Sequence, residues 1–177
     1  MRRRLYLPDE VKQSIRGHLE RSFQEALDGV DSAWDDEDTI TGHWGAKVQI
    51  KRQLVNVRGR TWGWSIDYRK FRGRGPGAAE AALGADGLIE LTIDDIEVSG
   101  RKTALFQSKK ESLQDPKLVF QCAALSTWRE AAFVIQYKRD AFTAFRLDDA
   151  IDAVRRAPNH RHARGAQPLQ KFLGETF

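Results

Sequence analysis

The sequence contains a single cysteine, Cys122, among its 177 residues. One thiol cannot form an internal disulfide framework or supply a cysteine-based zinc site. No apolar run approaches the roughly 20 residues that a membrane-spanning helix needs, and Met1 is followed by three arginines instead of the apolar core of a signal peptide. We also find no internal repeat. We therefore expect a cytoplasmic protein with no membrane partner.

Charged residues are abundant, but the two signs almost balance. Lys and Arg number 29 against 25 Asp and Glu, which gives a formal net charge of +4 and a pI near 9.3. This surplus is compatible with a polyanionic partner and too small to demonstrate one. Because 41% of the residues are hydrophobic, the chain can bury the core of one domain. We expect that domain over residues 1–155, followed by a basic C-terminal extension over 156–177.

The first predicted element is an amphipathic helix over residues 9–28. Pro8 and the acids Asp9 and Glu10 are typical of a helix start. Apolar residues then recur at helical spacing as far as Leu27, so one face of this helix should pack on the core.

The most informative stretch is 84–110, which has the pattern of two strands joined by a turn at Ser99-Gly100. Asp86 opens the first strand, and Gln107 and Lys109 share one face near the end of the second. If the two strands pair, these three side chains meet at one end of a sheet. Carboxylate and amide oxygens suit Mg²⁺, and a lysine beside the ion can orient a water or stabilise charge on a phosphate.

This stretch resembles the active-site hairpin of the restriction-endonuclease-like superfamily, the PD-(D/E)XK nucleases. The resemblance rests on Gly84-Ala85-Asp86-Gly87 and on Gln107-Ser108-Lys109. No proline precedes Asp86, and glutamine stands where Glu or Asp is commonest, as in the Mrr-type branch of that superfamily.

The order of elements around the hairpin agrees with this resemblance. We predict a helix that starts in the acidic run and keeps helical character to Leu54, then an aromatic strand over 61–71, the hairpin, a helix from Asp115-Pro116, and a strand over 131–137. This is the superfamily's αβββαβ core, over about 38–140, and it implies an α/β fold with a mixed central sheet flanked by helices. The alternating aromatics of the first strand favour core packing over stacking on bases.

The acidic run at 35–38 leaves two interpretations open. It can be a solvated, capped helix start. The resemblance implies instead that the first core helix contributes a carboxylate to the metal site, for which Glu37 is our candidate and Asp38 the runner-up. Only one of these two side chains should face inward, because neighbours diverge by about 100° on a helix.

We expect the other polar residues to be structural, or in the case of Glu90 either structural or a support for the metal ligands. Glu90 shares a face with Asp86, but at about 3.3 Å per residue it lies roughly 13 Å away, too far to share one ion. We expect Lys110 to be a surface charge and the acids near the hairpin turn, including Asp95, to be exposed. His43 is expected to be structural, and Cys122 is expected to be a small buried hydrophobe.

Two basic segments could contact a phosphate backbone, or could simply be solvated. The first is the glycine-rich loop at 72–77, and the second is the turn-rich stretch at 155–164. His160 and His162 in the second segment have no nearby acid or cysteine, which argues against a metal site there.

The resemblance implies a Mg²⁺- or Mn²⁺-dependent endonuclease that acts on DNA rather than RNA. Asp86, Gln107 and Glu37, with a backbone carbonyl near Phe106 or Ser108, would hold the metal, and Lys109 would position the attacking water. It also implies an effector nuclease of a prokaryotic anti-phage defence system, with a sensor or regulatory subunit as partner, and it makes a homodimer a hypothesis. The alternatives are a catalytically silent nucleic-acid-binding or scaffold domain of the same fold, and an α/β domain with no nucleic-acid role.

Overall fold

A computed structural model describes residues 6–71, 83–155 and 165–177. Within these ranges, five α-helices flank a seven-stranded mixed sheet, which establishes an α/β class. The helices are α1 (Asp9–Asp28), α2 (Glu37–Val48), α3 (Pro116–Leu125), α4 (Leu147–Arg155) and α5 (Leu169–Thr176). The strands are β1 (Ile50–Val57), β2 (Arg60–Lys70), β3 (Gly87–Asp94), β4 (Ser99–Lys110), β5 (Ala132–Lys138), β6 (Ala141–Arg146) and β7 (Gln167–Pro168).

The strands lie in the sheet in the same order as in the chain. β1 to β4 form an antiparallel meander, and the chain then crosses through α3 to β5, which runs parallel to β4. β6 and β7 add antiparallel neighbours beyond β5. A parallel pair needs such a crossover, and α3 supplies it, so the helix starts beside the end of β4.

Each face of the sheet carries its own hydrophobic cluster. Helices α1, α2 and α5 cover one face, where Trp64, Ile89 and Phe106 are buried against them. Helices α3 and α4 cover part of the other face, over Leu105 and Val134. β5 is buried on both faces, as its nearly continuous apolar sequence predicts. The aromatic residues of β2 pack in the core, as predicted.

The structure corrects the prediction of helical character between Ala46 and Leu54. Helix α2 ends at Val48, and the chain enters the edge strand β1 at Ile50. The hairpin from β1 to β2 turns at Arg58 and Gly59, which both have positive φ, as a tight two-residue turn requires. Most β1 side chains are exposed, so the strand lacks the alternation of buried and exposed residues that would have identified it.

The turn between β3 and β4 also lies elsewhere than predicted. Ser99 and Gly100 belong to β4, and the turn is formed by 95–98. The Asp95 carboxylate accepts hydrogen bonds from the backbone of Glu97 and Val98 and pairs with Arg60, so Asp95 is enclosed instead of exposed. Arg60 and these backbone donors hold its pKa at about 2.

The C-terminal residues belong to the same body as the rest of the described chain. β7 pairs with β6, and Leu169, Phe172 and Leu173 of α5 are buried in the cluster that α1 also joins. The basic segments at 72–77 and 156–164, with His160 and His162, lie outside the described residues. None of the helices in the described ranges is long and apolar enough to span a membrane.

Candidate active site

Asp86 lies immediately before β3, at the end of the sheet opposite the hairpin turn. Its backbone bonds to strands on both sides: its N–H donates to the carbonyl of Phe106, and its carbonyl accepts from the N–H of Phe71. Gly84, two residues earlier, has φ +69°, and a Cβ there would lie 2.6 Å from the carbonyl oxygen of Gln121. Glycine is therefore required at position 84, where the chain passes close to α3 just before Asp86 joins the sheet.

Asp86 is 8% exposed, and its carboxylate accepts hydrogen bonds from the end of β4. The amide nitrogen of Gln107 lies 3.0 and 2.9 Å from its two oxygens. The backbone N–H of Ser108 donates to Oδ2 at 2.6 Å, and the Ser108 hydroxyl donates to the same oxygen. Burial raises the pKa of Asp86, while these hydrogen bonds and the charge of Lys109 act in the opposite direction.

A buried polar chain supports Ser108 from behind. Its hydroxyl lies 3.2 Å from that of Thr41 on α2, which in turn lies 2.9 Å from the hydroxyl of Tyr137. The indole of Trp44 donates to the same Tyr137 oxygen. This chain fixes the position of α2 relative to β4, so the helix and the strand that carry the candidate residues share one rigid connection.

Glu37 is the residue of the acidic run that faces this site. Asp36 caps α2 by accepting from the N–H of Thr39 at 2.7 Å, and Asp38 is exposed and pairs with Lys70 at 3.1 Å. Glu37 Oε2 instead accepts from the backbone N–H of Lys110 at 2.9 Å. Burial raises the pKa of Glu37 to about 7, an effect that Lys109 opposes and Asp86 reinforces, so the three charges lie within electrostatic reach of one another.

Lys110 is not the surface charge that we expected. Its Nζ donates to the carbonyl oxygens of Trp34 at 2.7 Å and Asp35 at 3.2 Å, and it lies over the Trp34 ring. Its backbone N–H holds Glu37. Lys110 therefore ties the segment before α2 to the end of β4, and the alternation of side chains along a strand did not reveal this role.

Lys109 points toward α3. Its Nζ lies 3.0 Å from Oδ2 of Asp115, the residue that caps this helix, and its side chain is 12% exposed. The positive charge of Lys109 also acts on Asp86 and Glu37. The structure thus brings Asp86, Gln107, Lys109 and Glu37 together between the first turns of α2 and α3.

The donor set can be tested for its fit to a divalent cation. The carboxylates of Asp86 and Glu37 and the amide oxygen of Gln107 are hard oxygen ligands of the kind that Mg²⁺ and Mn²⁺ prefer. Gln107 is 1% exposed, and its Oε1 has no hydrogen-bond partner in the part of the chain that the structure describes. A buried amide oxygen without a partner is unfavourable unless something binds it, so the donor types fit a cation. Because the amide nitrogen now faces both Asp86 oxygens, the Gln107 amide would have to turn over for its oxygen and the Asp86 carboxylate to share that cation. Across the described ranges, no three residues among His, Cys, Asp and Glu cluster as a metal site, so the amide oxygen would be an essential ligand.

The other polar candidates lie in structural contacts. Glu90 accepts from the hydroxyl of Thr103 at 3.1 Å. His43 lies 3.2 Å from the carbonyl of Ala26, and Cys122 is buried, which raises its pKa to about 11.

Two residues of this site were missed by reasoning from the sequence. In a regular strand the Ser108 side chain lies on the face opposite to that of Gln107, so Ser108 was not expected at the site. Asp86 lies just before β3, and both the Gln107 amide and the Ser108 hydroxyl donate to its carboxylate. Asp115 was recognised only as the start of a helix, and no sequence signal connects it to Lys109 six residues earlier.

No protein-family model matches the chain, and neither a curated protein nor a solved structure does so.

Proposed function

We propose that this protein is a metal-dependent endonuclease that hydrolyses phosphodiester bonds, with DNA as its substrate. The observation that carries the proposal is the grouping of Asp86, Gln107, Lys109 and Glu37 at one end of the sheet. The meander of β2, β3 and β4 and the parallel crossover to β5 are the arrangement expected for a restriction-endonuclease-like core, with β1 as an added edge strand.

The chemistry assigned to each residue follows from its surroundings. Asp86, Glu37 and Gln107 would hold Mg²⁺ or Mn²⁺, which stabilises the charge that develops on a phosphodiester during hydrolysis. Ser108 fixes the Asp86 carboxylate, and the backbone N–H of Lys110 fixes Glu37. Lys109 Nζ supplies a positive charge and hydrogen-bond donors that orient a water or a phosphate oxygen.

Cleavage of plasmid and single-stranded DNA in Mg²⁺ or Mn²⁺ tests the proposal directly. Wild-type protein should cut, and Lys109→Ala and Asp86→Ala should each lose cutting while keeping the fold. Glu90→Gln is the matched control, since this carboxylate lies on β3 and contacts Thr103 instead of the site. Equal cutting by wild type and Asp86→Ala would contradict the assignment.

One observation favours a second candidate, a catalytically silent nucleic-acid-binding or scaffold domain of the same fold. The Gln107 amide nitrogen donates to both Asp86 oxygens, so the carboxylate is well satisfied without a cation. Titration with Mg²⁺ or Mn²⁺ at millimolar concentration separates the two. Binding that disappears in Asp86→Ala supports the enzyme, and absence of binding supports the silent domain.

The proposal extends to the protein's partners on the strength of the resemblance alone. A prokaryotic anti-phage effector in the cytoplasm would act with a sensor or regulatory subunit that supplies the activating signal. Cutting both strands of a duplex usually takes two sites, so a homodimer is part of the proposal. Size-exclusion chromatography with and without DNA tests it, and a monomer under both conditions would contradict it.

A further inference from the structure

We propose that Asp115 is a positioning residue for the proposed nuclease reaction, which holds the ammonium group of Lys109 in place. The inference rests on the proposed function of Lys109 and assigns a role that no sequence motif suggests. Asp115 Oδ2 lies 3.0 Å from Lys109 Nζ, within the range of a charge-assisted hydrogen bond.

The Asp115 carboxylate is itself held in place from a second direction. Its Oδ1 accepts from the backbone N–H of Lys117 at 2.9 Å, which caps α3, and Pro116 fixes the backbone of the first helical position. A carboxylate restrained by a helix end is a firm anchor, whereas a carboxylate on a loop would move with its partner. Burial acts to raise the pKa of Asp115, but the hydrogen bonds from Lys109 and Lys117 and the charges of these lysines together lower it, so the anchor is charged at neutral pH.

Lysine needs such an anchor more than a shorter side chain does. Its four-carbon stem has several rotatable bonds, and an unrestrained ammonium group would sample many positions. The Lys109 side chain is 12% exposed, and its charge lies near Asp86 and Glu37, which could also attract it. Asp115, on the opposite side from α2, balances this attraction and leaves the remaining Lys109 donors free for a substrate.

The test compares Asp115→Asn with wild type. Asparagine is as good a helix cap as aspartate, so α3 and the thermal unfolding midpoint should be preserved while the negative charge is lost. Asp148→Asn is the matched control, because Asp148 is another aspartate near the start of a helix, and it pairs with a cation, Arg129, outside the site. Asp115→Ala is the second variant, and it should lower the melting temperature because it removes the cap as well.

The first readout is independent of catalysis. Acetylation of Lys109 by an amine-reactive ester, followed by tandem mass spectrometry with exposed Lys171 as internal reference, should be faster in Asp115→Asn than in wild type and in Asp148→Asn. An unchanged rate would show that Asp115 does not hold Lys109, whether or not the protein is a nuclease.

The second readout is DNA cleavage at saturating and at limiting substrate. A misplacement of about 1 Å can cost about a hundredfold in rate, so we expect kcat to fall by about tenfold or more with little change in KM. An increase in kcat would overturn the inference, since Asp115 would then withdraw Lys109 from the reaction. If the acetylation rate rises but wild-type protein cuts nothing, Asp115 still positions Lys109, and it is the nuclease proposal that fails.

Discussion

A half-buried carboxylate with a pKa near 7, that of Glu37, is the most unusual group of this site. Burial raises the pKa of Glu37 from 4.5 to about 7. Between these two pH values, Glu37 is therefore protonated in the folded protein and ionised in the unfolded chain. The contribution of the protonated Glu37 side chain to the free energy of unfolding is fully present below about pH 4.5 and is lost as the pH rises through 7. A cation bound beside Glu37 would restore it.

The raised pKa predicts how Glu37→Gln should behave. Glutamine keeps an acceptor for the Lys110 N–H but carries no charge. At pH 8 the variant should be more stable than wild type by about 2 kcal/mol, allowing for solvent screening of a partly exposed group, and the difference should vanish near pH 4. Urea unfolding at both pH values measures this. A constant difference across the range would show that Glu37 titrates normally.

Gln107 offers a second prediction at the same scale. In Gln107→Glu, a carboxylate replaces the amide whose nitrogen donates to Asp86, so two negative charges face each other at a position that is 1% exposed for Gln107. Without metal the variant should lose about 3 kcal/mol of stability. With Mg²⁺ it should regain more stability than wild type does, because a carboxylate is a stronger ligand than an amide. Thermal unfolding with EDTA and with Mg²⁺ gives both numbers, and a stability loss that Mg²⁺ does not reverse would contradict the metal site.

The sequence identified the candidate metal ligands and the lysine of the site but not the groups that hold them. Asp86, Gln107 and Lys109 follow from a motif and from side-chain alternation. Ser108 and Asp115 do not follow from these patterns. Ser108 contacts Asp86 because Asp86 lies just beyond the end of a strand. Asp115 contacts Lys109 from a helix whose position depends on the crossover to β5. Local periodicity carries no information about such tertiary contacts.

At the scale of elements, strands that bury side chains in the core could be predicted from the sequence, whereas the edge strand β1 could not. β2, β3 and β5 bury alternating or continuous apolar side chains, so the positions of apolar residues in their sequences indicate which side chains face the core. β1 lies at the sheet edge with most of its side chains in water, and its conformation comes from pairing with β2. Edge strands stabilised by backbone hydrogen bonds leave a weak pattern in sequence.

The attachment of α2 to the sheet gives a prediction about one element. Lys110 holds the carbonyls of Trp34 and Asp35, just ahead of the helix that carries Glu37. Lys110→Met keeps an apolar stem and the backbone N–H but removes the ammonium group and both of its hydrogen bonds. The variant should therefore lose about 1–3 kcal/mol of stability and show faster hydrogen exchange at 34–37. Lys102→Met, at an exposed position of β4, is the control and should change neither quantity. Unchanged exchange in Lys110→Met would mean that the polar chain through Thr41 and Tyr137 suffices to hold the helix.

For the whole molecule, the placement of charge matters more than its sum. A net charge of +4 is too small to direct a polyanion to any particular surface. Arg69 and Lys70 end β2 beside Asp86, Lys109 and Lys110 end β4, and exposed Lys117 lies in the first turn of α3. At this end Lys70 pairs with Asp38 and Lys109 with Asp115, whereas Arg69 and Lys117 are exposed. Arg69 and Lys117 therefore present positive charge beside the end of the sheet that carries the proposed site.

This placement predicts where DNA binds. In EDTA, which prevents cleavage, the double variant Arg69→Glu/Lys117→Glu should bind duplex DNA more weakly than wild type in fluorescence anisotropy. The dependence of log K on log salt should become shallower by about 0.9 for each phosphate that the variant no longer neutralises. Lys12→Glu/Lys171→Glu makes the same change in net charge on α1 and α5, away from the site, and should leave the slope unchanged. Equal weakening in both double variants would mean that DNA binding depends on net charge alone. It would contradict the prediction that DNA binds at the end of the sheet that carries Asp86.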